Sequence, residues 1–129
     1  MRAATKKKVA DLLGAAATTI EQYGRPRMRP GKPRPEATGP TGKPVKWNAP
    51  VVAKLSLLGA LKADARELGY SRTIIRHAAE AILDVDSDDW HGGHWTAIVS
   101  LDESVYDTRE IVRRTRRAQH ALESELVTA

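Results

Sequence analysis

The sequence predicts an all-α single domain with a four-helix bundle-like fold and a long basic, proline-rich loop between helices 1 and 2. Apolar residues recur at three- and four-residue spacing through four segments, the pattern of amphipathic helices. The chain has no Phe and only 5% aromatic residues, so its core must be built from Leu, Ile, Val and many Ala. Small side chains of this kind suit closely packed helices, and 129 residues are enough for one domain with its own core.

The first two predicted helices have clear boundary signals. The first, about residues 5–23, ends at Gly24, and the second, about 48–68, begins at Asn48 as its N-cap with Pro50 in the first turn. The second helix carries the broadest apolar stripe, which consists of Val51, Val52, Leu55, Leu58, Leu61, Ala65 and Leu68. We expect Gly59, inside this stripe, to let a neighbouring helix approach closely.

The last two predicted helices begin at capping residues. The third, about 71–84, begins after Ser71, and the fourth, about 107–127, opens on Asp107 and Glu110 at the spacing of a capping box. Both repeat the apolar spacing of a helix that packs one face on a core.

An acidic loop is predicted between these helices, at residues 84–107, which carry seven acidic residues and no Lys or Arg. Within it, the stretch His94–Leu101 allows either a short strand or two helical turns. We favour a helix, because the chain offers no convincing second strand to pair with it.

The basic loop, residues 24–46, holds seven Lys or Arg against one Glu, a charge of +6 (7 − 1) in a chain whose whole charge is +5. Six of the seven prolines also lie in this loop. Proline removes a backbone donor and biases the preceding residue away from helix, so we expect polyproline character without regular secondary structure. Cations spaced between prolines should be extended and available to a partner.

Phosphate groups are the commonest targets of such a display. The candidate contact residues lie in the loop and on the outer side of the last helix: Arg25, Arg27, Arg29, Lys32, Arg34, Lys43, Lys46, Arg113, Arg116 and Arg117. We favour contact with nucleic acid, DNA or RNA. The alternatives are a protein partner, docking of the loop onto the acidic segment of the same molecule, or a loop that is simply solvated.

A calcium loop is only half matched. Asp84, Asp86 and Asp88 have the spacing of its first three ligands, but Asp89 and Trp95 stand where that loop needs Gly and a bidentate Glu. A solvated acidic helix end explains these residues better.

A zinc site and an enzyme are also weakly supported. His91 and His94 flank two glycines and, with Asp88, are weak candidates for metal ligands, although they supply only half of a structural zinc site. No Ser or His lies in a recognised catalytic context. We therefore predict no cofactor, no metal and no enzymatic activity, with a metal-dependent enzyme using His91 and His94 as the remote alternative.

Cysteine content and hydropathy bear on the cellular location of the protein. The absence of Cys excludes disulfides and thiolate sites and is compatible with a reducing cytosol. No apolar run approaches the roughly 18 residues that a bilayer span needs. We expect a soluble, cytoplasmic protein without a membrane partner, and homo-oligomer formation is left open.

Four stretches taken in order carry a resemblance: VADLLGAAATTIEQYG, GPTGKPVKW, AKLSLLGAL and IVSLDESVYDTREIV. They resemble a family of small uncharacterised proteins from actinobacteria and their phages, over about 120 residues. Ser56 stands where that family has Cys, and residues 101–103 stand where it has Trp-Asn-Asp. The resemblance implies the helical fold and the host range, and it brings no known activity.

Together these features predict a small, non-enzymatic cytoplasmic binding module that contacts nucleic acid or a nucleic-acid-bound host complex through its basic loop. The resemblance implies that it is encoded by an actinobacterium or by one of its phages. The alternative is a protein–protein interaction module that binds and modulates a host protein.

Overall fold

The computed structural model describes residues 1–84 and 93–128, apart from the side chain of His94. In these ranges the chain forms five helices and three short strands: α1 (Ala3–Tyr23), β1 (Ala37–Thr38), β2 (Pro44–Val45), β3 (Lys54–Leu55), α2 (Leu57–Leu68), α3 (Arg72–Leu83), α4 (His94–Ser104) and α5 (Thr108–Thr128). The predominantly helical fold confirms the all-α prediction. The predicted set of four helices lacks α4, and the small sheet was not predicted.

Helices α1 and α5 form the longest packed pair. They run antiparallel, because Lys6 pairs with Glu125 at one end of α1 and Arg116 lies 3.6 Å from Glu21 at the other. The apolar stripe of α1 is fully buried, as its spacing predicted: Val9, Leu12, Leu13, Ala16, Ala17 and Ile20. The core of the molecule therefore sits on α1.

Helix α2 begins at Leu57, so the predicted start near residue 48 is wrong. The N-cap is Ser56, whose hydroxyl accepts a hydrogen bond from the amide of Gly59 at 3.1 Å, in place of Asn48. Leu58, Leu61 and Ala65 of the predicted stripe are buried, as expected. The prediction is wrong at its two ends, because Leu55 lies in β3 and is only partly buried, and Leu68 is 43% exposed.

The sheet has the order β2-β1-β3 and is antiparallel throughout, with Ala37 opposite Val45 on one side and Leu55 on the other. Two of its strands lie in the basic loop, so the expectation that this loop lacks regular secondary structure is wrong at residues 37–38 and 44–45. The amide of Ser56 also donates to the carbonyl of Glu36 at 2.8 Å, which ties the loop to the start of α2.

Gly59 allows this contact. A Cβ on Gly59 would overlap the carbonyl oxygen of Glu36, closer than real Cβ atoms approach. The close approach expected at Gly59 thus exists, but the approaching segment is the backbone of the basic loop and not a neighbouring helix.

Helix α4 lies within the predicted acidic loop. Residues 94–104 are helical, as we favoured for His94–Leu101, and Ile98 of this helix is fully buried. The next helix, α5, begins after Asp107 as predicted, and Oδ1 of Asp107 accepts from the amide of Arg109 at 2.9 Å. The carboxylate of Glu110, the other residue of the predicted capping box, instead accepts from Arg113 and Arg114. No helix in residues 1–84 or 93–128 is long and apolar enough to cross a membrane.

Candidate functional site

Five cations of the basic loop point into solvent. They are Arg27, Arg29, Lys32, Lys43 and Lys46, and we call them the exposed loop cations. None of them makes an ion pair with another residue of the described ranges. In the described part of the chain, no acidic side chain offsets their charge.

The other two predicted cations of the loop, Arg25 and Arg34, face inward. Their side chains are 0% and 7% exposed, and both reach the carboxylate of Asp102, which is itself 5% exposed. Nη1 of Arg25 lies 2.7 Å from Oδ1 of Asp102, and Nε of Arg34 lies 3.4 Å from Oδ2. The prediction that these two arginines are extended and available to a phosphate is wrong.

Arg25 also ties together the turn between α4 and α5. Its guanidinium donates to the carbonyls of Asp102 (2.8 Å), Val105 (2.7 Å) and Tyr106 (3.2 Å), and its Nε donates to the hydroxyl of Thr108 (3.2 Å). Carbonyls at the end of a helix lack intrahelical partners and carry the negative end of the helix dipole. A planar guanidinium with five donors can satisfy several of them at once.

Arg34 forms a buried cluster with Arg25 and Asp102, which we call the Arg25 cluster. It donates to the carbonyls of Pro26 and Asp102, which holds residues 26 and 34 close together. Burial lowers the pKa of Arg34, the neighbouring Arg25 lowers it further, and Asp102 opposes this change. The intramolecular docking that the sequence left open as an alternative is thus the arrangement of Arg25 and Arg34.

The Arg25 cluster holds the segment that carries three of the exposed loop cations. Arg27, Arg29 and Lys32 lie between the two inward arginines in the chain, so both ends of their segment are attached to the end of α4. Lys43 and Lys46 flank β2. The cations are therefore carried on a loop that the folded body holds in place.

The predicted arginines of α5 differ in how they are paired. Arg113 binds Glu110 at 2.6 Å, and the hydrogen bonds from Arg113 and Arg114 lower the pKa of Glu110. Arg116 donates to the hydroxyl of Thr18 at 3.3 Å and lies near Glu21. Arg117 is exposed and has no ion-pair partner in the described part of the chain, so it alone of the three presents an uncompensated charge.

A cleft of about 670 Å³ opens between α2, α3, α4 and Trp47, which lies just beyond the end of β2. Its walls combine aromatic rings with cations, and the lining residues are Trp47, Leu58, Lys62, Arg66, Tyr70, Arg72, Ile75 and Trp95. The guanidinium of Arg72 lies over the ring of Trp95 at 5.2 Å. Lys62 pairs with Glu36 of the basic loop at 2.8 Å, so one wall of the cleft is tied to that loop.

Sequence reasoning did not find this cleft. The spacing of Lys62 and Arg66 on one helix face was a usable signal, because residues four apart on a helix are neighbours. Trp47 and Trp95 stand 48 positions apart (95 − 47) in the chain. Only the packing of α4 against α2 and α3 brings them to one site.

The weak metal candidates cannot be placed. Asp88 and His91 lie outside the described residues, as do the calcium-loop candidates Asp86 and Asp89, and the side chain of His94 is not described. Within residues 1–84 and 93–128, no group of three or more His, Asp or Glu could hold a metal ion.

Comparisons of this chain with protein-family models, with curated proteins and with solved structures find no match. The resemblance to small actinobacterial and actinophage proteins stays a hypothesis.

Proposed function

We propose that the protein is a non-enzymatic, cytoplasmic binding module that contacts nucleic acid through the exposed loop cations. The observation that supports this function is the division of the loop's charges. Two arginines face inward and hold the loop, whereas five cations face outward without an acidic partner in the described ranges. A loop that is already held loses less conformational entropy when it binds.

The chemistry of these side chains suits phosphate. Neutralising a phosphate releases condensed counterions, which drives binding without regard to base sequence. Arg27 and Arg29 add planar guanidinium groups, which can bind a phosphate through two parallel hydrogen bonds. Outside residues 24–46 the chain sums to a charge of −1 (+5 minus +6), so the attraction is concentrated on the loop.

The salt dependence of affinity tests this function. If all five exposed loop cations meet phosphates, the slope of log affinity against log salt should be roughly −4.5 for duplex DNA and roughly −3.5 for a single strand. Absence of any binding to duplex or single-stranded DNA or RNA at about 50 mM salt, where screening is weak, would refute the proposal.

Two variants of equal net charge locate the contact. Changing Arg27, Arg29 and Lys32 together to Gln should flatten the duplex slope by about 2.7. The matched control changes Arg2, Lys7 and Arg109 to Gln, which removes the same charge from exposed positions outside the loop. An equal flattening in both variants would show that net charge alone, and not the loop, attracts the ligand.

The alternative is a module that binds a host protein. One observation favours it: Tyr106, whose carbonyl accepts from Arg25, is 83% exposed, and Tyr23, which shortly precedes Arg25 in the chain, is 58% exposed. Tyrosine is a frequent anchor in protein interfaces. Capture of one host protein from a nuclease-treated actinobacterial lysate, lost on Tyr106→Ser, would favour this alternative over nucleic acid.

A further inference from the structure

The cleft between α2, α3 and α4 has the composition of a site for an anionic aromatic ligand. Among the residues that the structure describes, three of those lining the cleft are aromatic, three are cationic and none is acidic. Its volume of about 670 Å³ falls within the range of small-molecule sites. The binding surface is therefore apolar at its walls and positive in charge.

The rings of the cleft differ in how they are covered. The ring of Trp95 lies under Arg72 at 5.2 Å, and the ring of Tyr70 has Lys8 at 6.0 Å. Trp47 is half-buried and has no cation over its ring among the described residues. A planar ligand could therefore stack on this indole without displacing a cation of the described ranges.

The cations of the cleft also divide into two kinds. Lys62 is compensated by Glu36 at 2.8 Å. Arg66 and Arg72 are exposed and have no acidic partner within the described ranges. Two uncompensated guanidinium groups beside aromatic walls match a ligand that joins a flat ring to a phosphate.

From this arrangement we infer that the cleft is a nucleotide subsite, in which a base stacks on Trp47 and its phosphate binds Arg66 and Arg72. The nucleotide can come from a single strand or from solution as a free molecule. A paired base inside a duplex cannot enter, because its faces are already stacked on its neighbours, whereas an unpaired base can stack on a protein ring.

A single strand is the source that agrees with the rest of the molecule, and for this source the inference rests on the proposed function. Lys46 directly precedes Trp47 in the chain, and Lys43 lies on the same hairpin. A strand whose phosphates follow the exposed loop cations would bring its next base to the cleft. Base stacking on an aromatic side chain strengthens binding by about 5- to 150-fold per base.

The test follows the indole N–H signals of the three tryptophans by NMR during titration with adenosine monophosphate, adenosine or inorganic phosphate. Trp47→Leu identifies the Trp47 signal by its loss. We expect the monophosphate to shift the Trp47 signal and to bind more tightly than adenosine. Arg66→Gln with Arg72→Gln should remove this advantage, whereas the control Lys7→Gln with Arg109→Gln, of equal charge, should keep it.

Labelled oligonucleotides then separate the sources. At about 50 mM salt, the Arg66 and Arg72 double variant and Trp47→Leu should each weaken single-strand binding by about 5-fold or more and leave duplex binding nearly unchanged. Binding of the monophosphate without any oligonucleotide binding would assign the site to a free nucleotide and refute the proposed function.

Two results would overturn the inference. If the monophosphate leaves the Trp47 signal unmoved, or if adenosine binds as tightly as the monophosphate, the cleft is not a nucleotide subsite. If oligonucleotides bind in a way that depends on Arg27, Arg29 and Lys32 but not on the cleft variants, the single strand is excluded as the source of the nucleotide and the proposed function stands.

Discussion

Replacement of Arg25 by Met tests whether the basic loop is held by a buried ion pair. Met keeps an unbranched apolar stem and removes the guanidinium, so the donors to Asp102, Val105, Tyr106 and Thr108 are all lost. Breaking a buried pair by removing one partner costs about 3–5 kcal/mol. Because Arg34 still lies 3.4 Å from Asp102, we expect the lower end, roughly 3 kcal/mol.

Chemical and thermal unfolding measure this cost. A loss of roughly 3 kcal/mol should lower the Tm by about 10–15 °C in a domain of this size. Arg27→Met is the matched control, since Arg27 is exposed on the same loop and its loss should change stability by less than about 0.5 kcal/mol. Equal stability of the two variants would refute the assignment of Arg25 as the residue that holds the loop.

Three further substitutions test the packing of the protein and the burial of one carboxylate. Gly59→Ala should destabilise the protein by about 1–3 kcal/mol in urea unfolding, because the new Cβ would overlap the carbonyl of Glu36. The control Gly14→Ala should not destabilise the protein, because its new Cβ meets only a flexible side chain. Burial raises the pKa of Asp64 above its ordinary 3.8, so the stability linked to its protonated form is present below that pH and lost as the pH rises through the folded pKa. Asp64→Asn should therefore stabilise the protein at pH 7 but not at pH 3, and an equal effect at both would contradict this sign. Leu61→Ala, at a fully buried position, should cost about 2–5 kcal/mol, and an unchanged Tm would contradict its place in the core.

The sequence could predict the helices whose apolar spacing is long and regular. Helix α1 was expected at 5–23 and is Ala3–Tyr23, and α3 and α5 lie within a few residues of their predicted ends. It could not predict the sheet, because strands of two residues carry no alternating pattern. Val51, Val52 and Leu55 have helical spacing, yet backbone pairing with β1 takes Leu55 into β3. Here tertiary pairing overrides local preference.

The candidate site, like the fold, could be predicted only in part. Charge and proline content predicted a basic loop that reaches solvent, and this holds for Arg27, Arg29 and Lys32. The inward direction of Arg25 could not be predicted, because its partner Asp102 lies 77 residues away (102 − 25) and their contact depends on how α4 packs. The composition gives the number of charged residues, but which of them are buried depends on the fold.

Mapping the nucleic-acid contact by backbone amide shifts is the most direct test of the central claim, that the outward cations bind and the inward arginines hold. The protein would be titrated with a short single-stranded oligonucleotide at low salt. We predict that the shifted amide signals cluster at residues 27–32 and 43–47. The amide signals at the C-terminal end of α5 should not shift. Shifts confined to the Arg113–Arg117 face, or no shifts in the loop, would contradict the account.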